Sequence, residues 1–216
     1  MAHPVGELAT SRACARKGVP MAVSSFSNYG IQDVRDAAEN KATDHAMQLY
    51  TMKDRALQER IVQRAEAAGC KAIFLTADSP VLGVRYNEWK NDFRTPPGLD
   101  FPNLEWKSAD IRTVSHDDNF ALFNDDTHSW GRDVPWLRAR TKMEIWIKGV
   151  LCAEDVVRAV EAGVDGVIVS ILFLSFPLSF SAVRALVASC CLRARTNTLS
   201  RSAITAVDSW TVSPPP

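Results

Sequence analysis

The 216-residue chain is 46% hydrophobic, enough to bury the core of one large domain or two small ones. Lysine plus arginine and aspartate plus glutamate each total 25, so no global field draws nucleic acid or an acidic membrane surface. Cys14, Cys70, Cys152, Cys190 and Cys191 lack metal-ligand spacing and no secretory segment opens the chain, so an intracellular, reducing location is expected.

In chain order, the first pattern is RACARKGVPMAVSS, in which a helical segment ends at Gly18 and an apolar run over 19–23 leads to Ser24 and Ser25. AMQLY follows as a second strand and carries Gln48 and Tyr50. In KDRALQERIVQRAEAAG, Leu57, Ile61, Val62, Ala65 and Ala68 form one apolar stripe opposite Arg55, Glu59, Arg60 and Gln63. Gly69 suits the left-handed residue just past that helix, where a side chain is costly. The apolar run Ala72, Ile73, Phe74 and Leu75 then ends in Thr76.

Residues 86–135 show little periodicity and many Asp, Asn and Pro residues, which predicts a long lid, an insertion or a partly disordered stretch. Within it, His116 with Asp117 and Asp118, and His128 with Asp125 and Asp126, read as solvated acidic loop, and no metal is expected. EIWIKG is a fourth strand, ending at Lys148 and Gly149. AEDVVRAVEAG puts Val156, Val157 and Val160 on one side of a helix, with Glu154 and Asp155 at the end where the helix dipole favours acid. Gly163 repeats the place of Gly69, and GVIVS is a fifth strand ending in Ser170.

Helix, glycine, continuous apolar strand is the pattern of parallel strands covered on both faces. The polar residues Ser24, Gln48, Thr76, Lys148 and Ser170 stand at strand ends. That is where an α/β barrel or a doubly wound sheet keeps its active site.

Taken together, MAHPVGE, SSFS, QLY, KDR, AGCKAIFLTADSPVLGVR, NDF, IKGV and GVDGVIVS resemble, in order and spacing, the FMN-dependent 2-hydroxy-acid dehydrogenases and oxidases, over residues 1–170. That family includes glycolate oxidase, lactate oxidase and mandelate dehydrogenase. The resemblance implies an eight-stranded α/β (TIM) barrel, of which about five strands are in this chain, with FMN at the C-terminal mouth. It implies oxidation of a small 2-hydroxy acid, lactate- or glycolate-like, to the 2-oxo acid, in a family whose members are often homo-oligomers.

By the same resemblance, Ser24, Gln48, Tyr50, Thr76, Lys148 and Ser170 contact FMN, and Phe26 lines the substrate pocket. Tyr50 also touches substrate, where a phenol can hydrogen-bond a developing oxyanion. Arg85 clamps the substrate carboxylate with a planar two-pronged donor. Asp78 holds and charges the catalytic histidine. Lys148 stabilises the negative charge of the reduced flavin ring.

The match stops after Ser170. The family continues Asn-His-Gly-Gly-Arg, and here Leu172 occupies the place of the basic histidine and Ser175 that of the second arginine. Residues 171–216 contain no glycine, lysine or glutamate and repeat no helix, glycine, strand unit. The expectation is a barrel shortened at both ends, with an unrelated tail and with FMN binding and turnover impaired. Two alternatives stand beside it. One is a non-catalytic fragment or interaction protein that pairs through open barrel edges. The other is a membrane anchor over 171–192, against which Pro177 and Arg184 argue.

Overall fold

The computed structural model describes residues 3–39, 43–107, 110, 113 and 115–169. Five parallel strands form one sheet in the order β1-β2-β3-β4-β5: β1 (Met21–Val23), β2 (His45–Tyr50), β3 (Ala72–Thr76), β4 (Glu144–Val150) and β5 (Gly166–Val169). Every neighbour in space is a neighbour in sequence, with no reversal of strand order. That sequential winding separates a barrel segment from a doubly wound sheet, whose order reverses at a switch point. The expected strands are therefore present. Ser170, Leu172 and the tail lie outside the described residues.

The repeating glycines do what their positions predict. Gly18 (φ 63°), Gly69 (φ 80°) and Gly163 (φ 74°) take the left-handed turn after helices α1 (Gly6–Lys17), α3 (Arg55–Ala67) and α7 (Ala153–Glu161). Helix α2 (Ile31–Asp36) joins β1 to β2. Leu57, Ile61, Val62, Ala65 and Ala68 of the α3 segment are all buried, and the Asp54 carboxylate caps the helix by accepting from the Leu57 amide at 3.0 Å.

Side-chain alternation divides the sheet. Met47, Leu49, Ile73, Leu75, Ile145 and Ile147 are buried in the hydrophobic core with the apolar stripe of α3. The intervening Gln48, Tyr50, Phe74, Thr76, Trp146 and Lys148 share the opposite face.

Two expectations need correction. Val157 and Val160 of α7 are exposed, at 46% and 50%, whereas Val156 and Ala159 are buried. The helix rests on β4 and β5 by the Val156–Ala159 edge. The segment 86–135 also holds more regular structure than its composition suggests: α4 (Tyr86–Lys90), a 3₁₀ turn (Pro102–Leu104), α5 (His116–Phe123) and the start of α6 (Trp130–Arg138). Ser115 caps α5 by accepting from the Asp118 amide at 3.1 Å, and Asp133 reaches back to the Ser129 amide at 2.7 Å before α6. The polar residues that hid these helices are their start signals.

At the N-terminal end of β2, His45 is buried with Ser11, Arg35 and Thr43. The Ser11 hydroxyl donates to the Val34 carbonyl at 2.6 Å, so it accepts from His45 Nε2, 3.1 Å away. His45 Nδ1 is thereby left to accept from Arg35 Nη1 at 2.8 Å. The histidine is neutral in this chain of bonds. Burial is the main cause that lowers its pKa; the Arg35 charge acts in the same direction, and the Thr43 carbonyl and Asp44 oppose it.

Candidate functional site

The C-terminal ends of β1 to β4 gather the polar residues singled out from the sequence. Tyr50, Thr76 and Lys148 are consecutive register partners across β2, β3 and β4, so three side chains stand in a row on one face. Gln48 lies one pleat deeper. Its Nε2 donates to Thr76 Oγ1 at 2.9 Å and its Oε1 accepts from the Ser25 amide at 3.1 Å. The Ser25 hydroxyl, buried, donates to the Gln48 carbonyl at 2.6 Å. The amide is thus held at both ends before anything binds.

Ser24 is exposed just past β1, where its Oγ accepts from the Phe26 amide at 3.1 Å. Ser25, its neighbour, is the serine that positions Gln48. Two adjacent serines offer no sequence signal to tell a buried hydroxyl from an exposed one.

Asp78 follows β3 and lies 3.9 Å from Lys148 Nζ, a charge contact longer than a hydrogen bond. The Asp78 side chain is 9% exposed and sits against Gly149, whose φ of 96° and lack of a Cβ make the approach possible. A Cβ there would come within 2.7 Å of Asp78 Oδ2. Gly149, next to last in β4, thus admits Asp78.

Tyr50 is half-buried, and its pKa is raised. Desolvation is the largest cause, Asp78 adds to it, and Arg85 and a hydrogen bond with Gln48 work against it. The phenol stays protonated near neutral pH and remains a donor. Arg85 is exposed at the start of α4, and its Nη1 donates to Glu88 at 3.0 Å. One such bond leaves other donors on the same fork.

An aromatic wall adjoins this row. Phe26 packs edge-to-face on Phe101 at 5.4 Å, Phe123 at 5.4 Å, Trp106 at 6.1 Å and Tyr50 at 6.1 Å. Phe120 in turn meets Tyr50 at 5.4 Å. Phe101, Trp106, Phe120 and Phe123 all come from the segment expected as a lid. Their partners are distant in sequence and no period announces them, so sequence reasoning missed them.

Two acidic residues near the end of that segment, Asp125 and Asp133, are committed to arginines. Asp133 pairs with Arg55 at 2.6 Å, and Asp125 with Arg132 at 2.9 Å and Arg55 at 3.3 Å, fastening this segment to α3.

A family model described as FMN-dependent dehydrogenase matches residues 1–171. The chain belongs to the FMN-dependent dehydrogenase family. Glycolate oxidase 3 of Oryza sativa subsp. indica is 42% identical over 174 residues, which cover 79% of this chain and 46% of the rice protein. 2-Hydroxyacid oxidase 1 of Mus musculus is 41% identical over 177 residues, covering 79% and 47% respectively. This chain therefore spans less than half the length of these curated relatives. A crystal structure of mandelate oxidase superposes with a TM-score of 0.63 at 32% identity, over 78% of this chain and 45% of that one. The sequential parallel sheet is thus five strands of a (β/α)8 barrel, as expected.

The family's cofactor is FMN, and the residues present fit its ring. A flavin ring edge offers carbonyl oxygens and nitrogens that gain negative charge on reduction. Facing it would be an amide preset by two hydrogen bonds, a threonine hydroxyl, and an ammonium whose charge partner among the described residues is Asp78 at 3.9 Å.

Among the described residues no helix is long and apolar enough to cross a membrane.

Proposed function

We propose that the described strand ends form the ring-binding and substrate-facing part of an FMN-dependent 2-hydroxy-acid oxidising site, and that this chain turns over slowly or not at all. The observation that carries the first half is the row Tyr50, Thr76 and Lys148, with Gln48 locked behind it. FMN, when bound, supplies the acceptor for the two electrons that leave the hydroxyl-bearing carbon. Gln48, Thr76 and Ser24 would hold the ring, and Lys148 would stabilise charge gathering on its edge. Tyr50, protonated because burial raises its pKa, would donate a hydrogen bond to the substrate oxygen. Arg85 would pair with the substrate carboxylate.

The second half rests on the sequence past β5. Leu172 stands where the family has the histidine that removes the substrate proton, and a leucine cannot titrate. Loss of a general base costs roughly 10²- to 10⁴-fold in rate. Asp78 then has no histidine to charge, and its charge partner among the described residues is Lys148. A small 2-hydroxy acid, glycolate or lactate, is the proposed ligand. Anaerobic mixing of the flavin-loaded chain with each acid tests this: little or no bleaching of the flavin band is expected, and rapid bleaching would overturn the account of Leu172.

A second reading is a non-catalytic chain that pairs through open edges. It is favoured by the outer edges of β1 and β5, which no described strand covers. Sedimentation of the purified chain alone and mixed with a full-length relative decides it, because a discrete complex supports pairing and a chain that stays monomeric in both excludes it.

A further inference from the structure

The segment 86–135 is tied directly to the strand ends of the proposed site. The C-terminal end of α5 is sewn by backbone bonds to the three residues that follow Tyr50. The Lys53 amide donates to the Phe123 carbonyl at 2.8 Å, the Asp125 amide donates to the Thr51 carbonyl at 2.9 Å, and Met52 and Asn124 form an antiparallel bridge. Lys53 Nζ adds a bond to the Ala121 carbonyl at 2.7 Å. From this anchored end Phe120 and Phe123, both buried, set their rings edge-to-face on Tyr50 at 5.4 and 6.0 Å. Asn124, also buried, donates from Nδ2 to the carbonyls of Ser79 and Pro80 at 3.2 and 2.7 Å, immediately after Asp78. One short stretch, FALFN, therefore grips the chain after β2 and the turn after β3 together.

We propose that Phe120, Phe123 and Asn124 are positioning residues: a clasp from the lid that fixes the Tyr50 ring and ties it to the Asp78 turn. The inference rests on the reading of Tyr50 and Asp78 as site residues. Packing geometry explains why a clasp is needed. A tyrosine at a strand end turns about two bonds, Cα–Cβ and Cβ–Cγ, and a phenol aimed at a substrate oxygen must hold one orientation. Edge-to-face contacts from two directions supply that restraint at about 0.5–1.5 kcal/mol each. Because the carrier helix is pinned by main-chain bonds, the restraint does not depend on the lid's exposed surface. The same rings keep water from one side of the phenol, in line with burial as the largest cause of its raised pKa.

The test uses the full chain with ¹³C-labelled tyrosine. It has three tyrosines, Tyr29, Tyr50 and Tyr86, so Tyr50 is assigned by Tyr50→Phe. In Phe120→Leu and in Phe123→Leu the Tyr50 ring is expected to flip roughly tenfold faster, which corresponds to about 1.4 kcal/mol off the barrier. Its titration midpoint is expected to shift downward. Asn124→Ala is expected to shift the midpoint in the same direction by less, because Asp78 is a smaller cause than burial. Leu122→Ala, on the exposed side of the same helix, is expected to change neither. An unmoved Tyr50 in both phenylalanine variants overturns the clasp. So does a change shared equally by Tyr29 and Tyr86, which is general loosening. None of these readouts requires flavin, so a chain that fails to bind FMN counts against the proposed function and not against the clasp.

Discussion

Replacing Ser11 by alanine removes the central link of the relay at the base of β2. Ser11 has no exposed surface; its hydroxyl donates to Val34 O at 2.6 Å and accepts from His45 Nε2 at 3.1 Å. Alanine leaves a buried imidazole N–H with no acceptor and deprives a buried carbonyl of a donor. One unsatisfied buried group costs about 1–3 kcal/mol, so a loss of roughly 2–3 kcal/mol is expected. At this chain length that lowers Tm by roughly 4–12 °C.

The relay also makes stability depend on pH. The folded pKa of His45 lies below 6.5, so between those two values the unfolded chain binds more protons than the folded one, and stability rises with pH. The contribution is complete above about pH 6.5 and is lost as pH falls from there through the folded pKa. His45→Gln keeps a donor for Ser11 and does not titrate, so it flattens that slope. Urea denaturation followed by circular dichroism at pH 8 and at pH 5.5 measures both effects. A Ser11→Ala loss under 0.5 kcal/mol, or an undiminished slope in His45→Gln, refutes the reasoning.

Other expectations follow from single contacts. Gly149→Ala must place a Cβ against Asp78 at a φ of 96°, and is expected to cost about 1–3 kcal/mol, read by thermal melting; an unchanged Tm contradicts the packing. Asp54→Ala removes the α3 cap and is expected to cost about 1 kcal/mol in the same assay. Gln48→Leu leaves the Ser25 amide without its acceptor and Thr76 without its donor, so FMN affinity is expected to fall at least tenfold, measured by quenching of flavin fluorescence.

Three of the five strands, β1, β3 and β5, were legible because each announced itself twice, by a glycine past a helix and by an apolar run. Gly69 before Ala72 and Gly163 before Gly166 are the same device. The candidate residues at strand ends stood out for a related reason: a parallel sheet leaves few polar positions, and Gln48, Thr76 and Lys148 interrupt or end otherwise apolar runs. What the sequence hid depends on contacts between distant segments. The apolar side of α7 was misassigned because Val157 and Val160 are as hydrophobic as Val156, and only neighbouring elements decide which face is covered. Phe120 and Phe123 were hidden because their partner, Tyr50, lies some seventy residues away and no local pattern links them. Ser25 and Asn124 were hidden because their work is done through main-chain carbonyls, which carry no sequence signature.

The central claim is that Gln48, Thr76 and Lys148 make a flavin-ring site on this sheet face. Equilibrium titration of the purified chain with FMN, alongside Lys148→Met, tests it most directly. The account predicts saturable binding with a perturbed flavin absorption band, and affinity that falls in the variant, most sharply for reduced flavin, because the ammonium acts on charge gained at reduction. A folded chain that leaves the FMN spectrum unchanged, or a Lys148→Met variant that binds oxidised and reduced flavin as the parent does, would contradict it.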